Sequence, residues 1–343
     1  MKKGVVAVDL FCGAGGLTRG LLDSGIKVMK GYDSDGKAAK TYEKNNSGAK
    51  FFDEDVFNLK GNELMRGLDR EKNFFLLAGC APCQPFSLIN RQNKKRDTRK
   101  NLLLAFGRLI EETKPDFIFM ENVPGLMNRK GKKIFHGFLE ILNKEKFSYD
   151  YRVLNMMNYE VPQRRRRLVL IASKHSEVKI PYGSGKIMKL KNVLMKYPAI
   201  EAGQKIESIP NHESRNLSDL NIRRLNLTKK NGGSRKDLPK KFILECHKKH
   251  KGHGDVYGRM SFDNVSPTLT CKCTCLSNGR FGHPTQNRAI SVREAAAIQT
   301  FEDDYEFFGN MSENTKWVGN AVPVKFAKVF GEYFMEIKNS ISD

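Results

Sequence analysis

Val5-Val-Ala-Val-Asp9-Leu-Phe-Cys-Gly-Ala-Gly-Gly16 is the stretch on which the fold turns. Its first part, Val5–Phe11, is apolar and rich in β-branched residues, as a buried strand requires. Its second part is a glycine-rich turn, and the helix-like Leu17–Ser24 follows at once. A strand that breaks at glycines and opens a helix is a nucleotide cradle. Gly13, Gly15 and Gly16 let the backbone approach a ligand closely, and the first helical turn presents unpaired N–H groups. The dinucleotide pattern G-x-G-x-x-G would need glycine at position 18, where this chain has Thr18.

The same alternation continues outward. Ile26–Tyr32 reads as a second short strand ended by Asp33, with helical sequence from Gly36 to Asn45. Phe74–Gly79, Phe117–Met120 and Leu168–Ala172 are further apolar runs closed by turn signals, and Asn101–Thr113 and Lys132–Lys144 carry helical spacing. Strand, turn and helix in repetition predict an α/β fold, a mostly parallel sheet with helices on both faces. From about Lys174 the pattern dissolves. Residues 174–290 hold 23 Lys and Arg against 9 Asp and Glu and show no sustained period. A small, irregular, basic domain inserted at 184–290 is expected, with 1–183 before it. Helical patterning returns at Ser291–Gln299. Trp317–Ile337 reads as a turn and a closing helix, so 291–343 is a hinge and C-terminal segment returning to the first domain.

The 343 residues carry 60 Lys and Arg against 38 Asp and Glu, a net charge of +22. A field of that sign attracts polyanions, nucleic acid first and acidic membrane surface second. Hydrophobic residues make up 39%, enough to bury a core and to exclude wholesale disorder. No apolar run approaches the roughly 20 residues of a membrane-crossing helix. Asp9 interrupts the apolar N-terminal stretch and no small-residue cleavage site follows, which argues against a secretory signal. Seven cysteines without an export signal predict reduced thiols and a cytoplasmic location.

Several side chains stand where chemistry could use them. Asp33 ends the second strand, where a ribose hydroxyl could be bound, and Asp55 follows Phe51-Phe52 at a place suited to an adenine amino group. Each is equally compatible with a solvated turn or a helix cap. Cys83 sits between Pro82 and Pro85 just past an apolar strand, so its thiol is held rather than mobile, and a thiolate is a strong nucleophile. A structural cysteine in a proline turn, or a C-x-x-C pair with Cys80, are the competing readings. Cys246, His247, His250 and His253, followed by Cys271-Lys-Cys-Thr-Cys275, raise a zinc site. The C-x-C-x-C spacing instead sets three thiols on one face of a half-buried strand, the C-x-x-C knuckle is missing, and no metal is expected.

Six blocks in order, Asp9–Gly16, Ala81-Pro-Cys-Gln-Pro-Phe-Ser87, Met120-Glu-Asn-Val-Pro124, Pro162-Gln-Arg-Arg-Arg-Arg167, Arg293–Phe301 and Gly319-Asn-Ala-Val-Pro323, resemble the C5-cytosine-specific DNA methyltransferases of bacterial restriction–modification systems. The resemblance implies a Rossmann-like methyltransferase fold with a target-recognition domain at 184–290. It implies S-adenosyl-L-methionine as methyl donor, with S-adenosyl-L-homocysteine as product. Cys83 would add to carbon 6 of a flipped-out cytosine, Glu121 would serve ring nitrogen 3, and Arg165 and Arg167 would fix Glu121 and the base carbonyl. Phe11, Gly13, Gly15, Asp33, Asp55, Asn320 and Val322 would hold the cofactor. Arg91, Lys94, Lys95, Arg96 and Arg99, in a loop after the nucleophile, and Thr268 with Leu269, in the recognition domain, would meet DNA. The implied partner is double-stranded DNA met by a monomer in the bacterial cytoplasm at the nucleoid. A cognate restriction endonuclease would be a functional rather than physical partner, and no membrane is involved. Methylation of RNA such as tRNA by the same chemistry, a catalytically inactive DNA-binding relative, and a flavin or nicotinamide oxidoreductase are the alternatives.

Overall fold

The computed structural model describes residues 3–82, 102–129, 131–245, 247 and 254–342. Packing divides the chain into two units. One comprises Met1–Met156, Arg166–Gly183 and Val324–Asp343, and the other comprises Met157–Arg165 and Ser184–Pro323.

The first unit is built on seven strands: β1 (Gly4–Leu10), β2 (Lys27–Asp33), β3 (Lys50–Asp53), β4 (Asn73–Gly79), β5 (Phe117–Asn122), β6 (Ser148–Asn155) and β7 (Arg166–Ser173). Their spatial order is β3-β2-β1-β4-β5-β7-β6. β1 to β5 pair in parallel, while β7 runs antiparallel to both β5 and β6. Strands covered by helices on both faces lose the alternation of a half-exposed sheet, and all six residues of β5 are buried. The unit's helices include α1 (Gly16–Asp23), α2 (Ala39–Asn45), α3 (Gly61–Met65), α4 (Leu102–Thr113) and α5 (Lys132–Lys144). The chain's last helix, Val324–Ser342, packs on α1 so closely that a Cβ on Gly20 would meet Ala327 Cβ at 2.4 Å. The same helix sets Phe330 and Phe334 against the rings of Phe119 and Phe117 on β5.

One element is added to the expected mostly parallel sheet, and one expectation is corrected. β6 was not legible from its mixed polar sequence, and the pairing at that edge of the sheet is antiparallel. Trp317 lies inside a helix, Met311–Asn320, rather than in a turn.

The second unit has helices, α6 (Lys191–Leu194), α7 (Asp219–Leu227), Val292–Ile298 and Met311–Asn320, but among its described residues only isolated strand bridges. Buried arginines take over the pairing of backbone carbonyls. The Arg259 guanidinium donates to the carbonyl oxygens of Leu225 (2.9 Å), Thr228 (3.3 Å), His283 (2.9 Å) and Gln286 (2.5 Å). Arg288 grips Glu294 through two bonds of 2.7 Å, and Arg293 donates to the carbonyls of Asp303 and Tyr305, both at 2.9 Å. The bonds from Arg259 and Arg293 satisfy backbone carbonyls that a sheet ladder would otherwise serve. The Cys271–Cys275 segment is also corrected. Cys273 N and Cys275 N donate to the oxygens of Thr270 and Lys272 in successive turns, so the three thiols do not share one strand face.

Candidate active site

The order of the sheet decides where a ligand can sit. The chain builds outward from β1 to β3, then returns to place β4 on the other side of β1, so the strand order reverses between β1 and β4. In open parallel sheets the crevice beyond the strand ends at such a reversal is where ligands bind. Leu10 and Gly79 are register partners, and Cys80 N donates to Leu10 O at 3.3 Å. The glycine turn after β1 and the residues leading toward Cys83 after β4 therefore emerge side by side.

The turn is held from below and open above. Gly13 and Gly15 have φ of 50° and 90°, and a Cβ built on Gly13 would meet nothing within 4 Å. Phe11 adopts φ 59°, a costly conformation for a bulky side chain, and its half-buried ring packs at the margin of the core. Asp33 braces the turn: one carboxylate oxygen accepts from Gly13 N and the other from Asp35 N, both at 2.9 Å. Asp55 is exposed, and its carboxylate accepts from Phe57 N at 2.9 Å as the cap of a short turn.

Beneath the turn lies a polar network to which sequence reasoning gave no role. Asp9 is fully buried; Thr18 Oγ1 donates to its Oδ2 at 2.7 Å, and Tyr42 Oη lies 2.9 Å from Thr18 Oγ1. Among the described residues, Asp9 Oδ1 has no hydrogen-bond partner. Burial, opposed by the Thr18 bond and reinforced by the charge of Asp33, pushes the Asp9 carboxyl up to about 7. The signal was present in the sequence: a carboxylate within an apolar strand, followed nine residues later by the threonine that breaks the dinucleotide pattern. Burial also pushes the Cys12 thiol up, and that of Cys273 up to about 12, so neither is a nucleophile at neutral pH.

At the end of β5, Glu121 is 7% exposed, and its Oε1 lies 2.9 Å from Arg167 Nε on β7 as an ion pair without hydrogen-bond alignment. The pairing of Glu121 with Val169 across the antiparallel ladder brings the start of β7 to this point. Asn122, next in the chain, donates from Nδ2 to Ala81 O at 3.1 Å. That bond ties the stem of the proline–cysteine segment to the strand that carries the glutamate. Sequence reasoning missed Asn122 as well.

In the second unit, Arg164 is exposed and Arg165 is 2% exposed, with Arg165 Nη1 donating to the carbonyls of Leu269 (3.1 Å) and Gly319 (3.2 Å). Gln163 accepts from Leu269 N at 2.8 Å and donates to Gln299 Oε1 at 2.8 Å. Thr268 Oγ1 donates to Arg164 O at 2.6 Å. Leu269 is 1% exposed, so its side chain packs within the unit. A Cβ on Gly319 would meet Thr270 O at 2.0 Å, so only glycine allows this approach. Asn320 is exposed at a helix end and Val322 is 4% exposed. Cys83, Arg91, Lys94, Lys95, Arg96 and Arg99 lie outside the described residues, as do Cys246, His250 and His253.

Known proteins resemble this chain along most of its length. The family model for C-5 cytosine-specific DNA methylases matches residues 5–336. The type II methylase M.HgiDII of Herpetosiphon aurantiacus is 38% identical over 334 residues, covering 95% of this chain and 93% of that protein. The type II methyltransferase M.Eco47II of Escherichia coli is 31% identical over 346 residues, covering 98% and 80%. A prophage-encoded Escherichia coli protein assigned as a DNA modification methyltransferase shares the fold at a TM-score of 0.78 and 21% identity, over 98% of this chain and all (100%) of that one. The Entamoeba histolytica methyltransferase EhMeth shares it at a TM-score of 0.66 and 17% identity, over 98% and 99%. With its sheet, its glycine turn and its matched length, the chain belongs to the C-5 cytosine-specific DNA methylase family.

Proposed function

We propose that this DNA cytosine methyltransferase, the modification enzyme of a bacterial restriction–modification system, works through a transient bond between Cys83 Sγ and carbon 6 of a cytosine turned out of the duplex, with S-adenosyl-L-methionine as donor. The observation that carries the reading is the ion pair of Glu121 on β5 with Arg167 on β7, 2.9 Å apart, where Asn122 ties β5 to the stem of the Cys83 segment.

Carbon 5 of cytosine is a weak nucleophile. Addition of the Cys83 thiolate to carbon 6 moves the ring electrons toward nitrogen 3, where Glu121 delivers a proton, and leaves carbon 5 nucleophilic. Arg167 orients the Glu121 carboxyl for that transfer. After methylation, water takes the carbon 5 proton, the Cys83 thiolate is expelled and the nitrogen 3 proton returns to Glu121, which restores the aromatic ring. S-adenosylmethionine, when bound, supplies an electrophilic methyl carbon on a sulfonium. The residues present suit it: Gly13 leaves open space above the turn, and Phe11, Gly15, Asp33 and Asp55 stand on the same rim, with Asn320 and Val322 assigned to the pocket by family resemblance.

The target carbon is stacked inside a duplex, so the base must be extruded. The basic segment with Arg91, Lys94, Lys95, Arg96 and Arg99 is proposed to close on the DNA, and Thr268 to stand in the target-reading part within 184–290. A monomer acting in the cytoplasm at the nucleoid completes the reading, with a cognate endonuclease as functional partner. No helix among the described residues is long and apolar enough to cross a membrane. Bisulfite sequencing of DNA from cells expressing the protein tests the activity. Protected cytosines in one recurring sequence are expected; a fully converted genome would overturn it.

A further inference from the structure

We infer that the segment 229–241 is a rigid, sequence-independent anchor for the phosphate backbone of duplex DNA, separate from whatever reads the bases. The inference rests on the duplex-DNA reading above and names a further part of the surface that serves it. Within these thirteen residues stand Lys229, Lys230, Arg235, Lys236, Lys240 and Lys241, against the single acid Asp237. The five lysines are exposed.

What separates this segment from an ordinary solvated basic loop is how it is held. Asn231 N donates to Pro284 O at 2.7 Å, and Asn231 Oδ1 accepts from Phe262 N at 2.7 Å. Arg280 Nη1 donates to the carbonyls of Gly232 (2.9 Å) and Gly233 (3.1 Å), and Arg259 N donates to Gly233 O at 2.9 Å. Gly232 has φ 112°, a conformation open to glycine alone at little cost. Just upstream, the buried Arg259 guanidinium fixes the end of α7 through Leu225 O and Thr228 O.

The acids around the segment serve as braces. Asp237 Oδ2 accepts from Ser234 N at 2.9 Å and Lys229 N at 3.3 Å. Asp263 accepts from Asn231 Nδ2 at 2.8 Å, and Asp255 pairs with Arg280 at 3.1 Å. The carboxylates are thus turned to the loop's own backbone and braces, while the five lysines stay exposed to solvent. A polyanion with regularly spaced phosphates gains the most from such an array, because the frame is ordered before binding and condensed counterions are released. Lysine, a flexible point charge without a bidentate fork, suits phosphate contact more than base reading.

The test uses the full chain with K229Q, K230Q, K240Q and K241Q combined, beside the same four positions changed to Arg. Affinity for a duplex with and without the target sequence is measured against salt. The expected result is a log–log salt slope shallower by about 0.9 for each phosphate that is no longer neutralised, on both duplexes. The half-saturating DNA concentration for methylation should rise at least tenfold, and the methylated sequence should stay the same. The Arg variant should restore the slope, which a purely structural role for the loop would not require. A Gln variant with an unchanged slope, beside an active wild type, overturns the anchor alone. A wild type that methylates no DNA overturns the functional reading beneath it.

Discussion

The two units solve the same problem by opposite means. In the first, backbone groups are paired by the sheet ladder, and a continuous apolar cluster including Leu10, Phe75, Leu77, Phe106, Met120 and Phe138 fills the space against the helices. In the second, apolar side chains are buried as well, Phe281, Ile298, Phe301, Phe307 and Trp317 among them, but its described residues form no sheet ladder to pair the backbone. Buried cations take over part of that pairing: Arg165, Arg259, Arg288 and Arg293 are among the largest fully buried side chains of the described residues. The difference teaches why one unit is regular and the other is not. A sheet prescribes its own geometry, whereas a guanidinium with five donors can satisfy carbonyls arriving from any direction. Irregular backbone is thereby held in one arrangement.

The comparison breaks most readily at Arg288. In Arg288→Met the Glu294 carboxylate stays buried without its partner, and a loss of about 3–5 kcal/mol is expected in denaturant unfolding. Burial pushes the Glu294 acid up, but the Arg288 bonds outweigh it and hold it at about 2. A depressed folded value means this contribution is present above the ordinary 4.5 and lost as pH falls toward about 2. A loss below about 1 kcal/mol would show that the second unit does not depend on buried ion pairs. In the first unit, Leu77→Ala should cost about 2–5 kcal/mol through the cavity it leaves. Hydrogen exchange should then show the weakening in β1, β4 and β5 with the second unit's amides still protected. Equal loss of protection in both would deny that the units are separately held.

Asp9 gives a smaller and sharper test. Its folded value of about 7 exceeds the ordinary 3.8, so its effect on stability is unfavourable as pH rises between the two and constant above. Asp9→Asn should remove that slope, so the variant gains on the wild type by a few degrees of Tm from about pH 5 to about pH 8. Parallel Tm profiles would mean that Asp9 does not titrate there.

How much could be read in advance follows from the same contrast. β1, β4 and β5 are legible because burial on both faces leaves unbroken apolar runs, and the glycine turn is legible because φ of 50° and 90° call for glycine. β6 was not, since its Tyr, Asp and Arg side chains belong to a half-exposed edge. Arg259, Arg288 and Arg293 read as surface charge in a sequence, and only the structure reveals carbonyls converging on them. Thr18 shows the limit most plainly. It looked like a departure from a glycine pattern, and it is the donor that holds Asp9 beneath the turn. Asn122 stands in the Met120–Pro124 block, yet its bracing role is not legible there, because its partner Ala81 is 41 residues away in the chain.

Duplex DNA carrying 5-fluorocytosine at the methylated position tests the central chemistry directly, because fluorine cannot leave carbon 5 as a proton does. Incubated with the protein and S-adenosylmethionine, it should become covalently joined to the wild-type chain in a denaturing gel, and Cys83→Ser should abolish the joined species while cofactor binding persists. Methylation of ordinary DNA by the wild type without any trapped species, or trapping that survives in Cys83→Ser, would contradict the account.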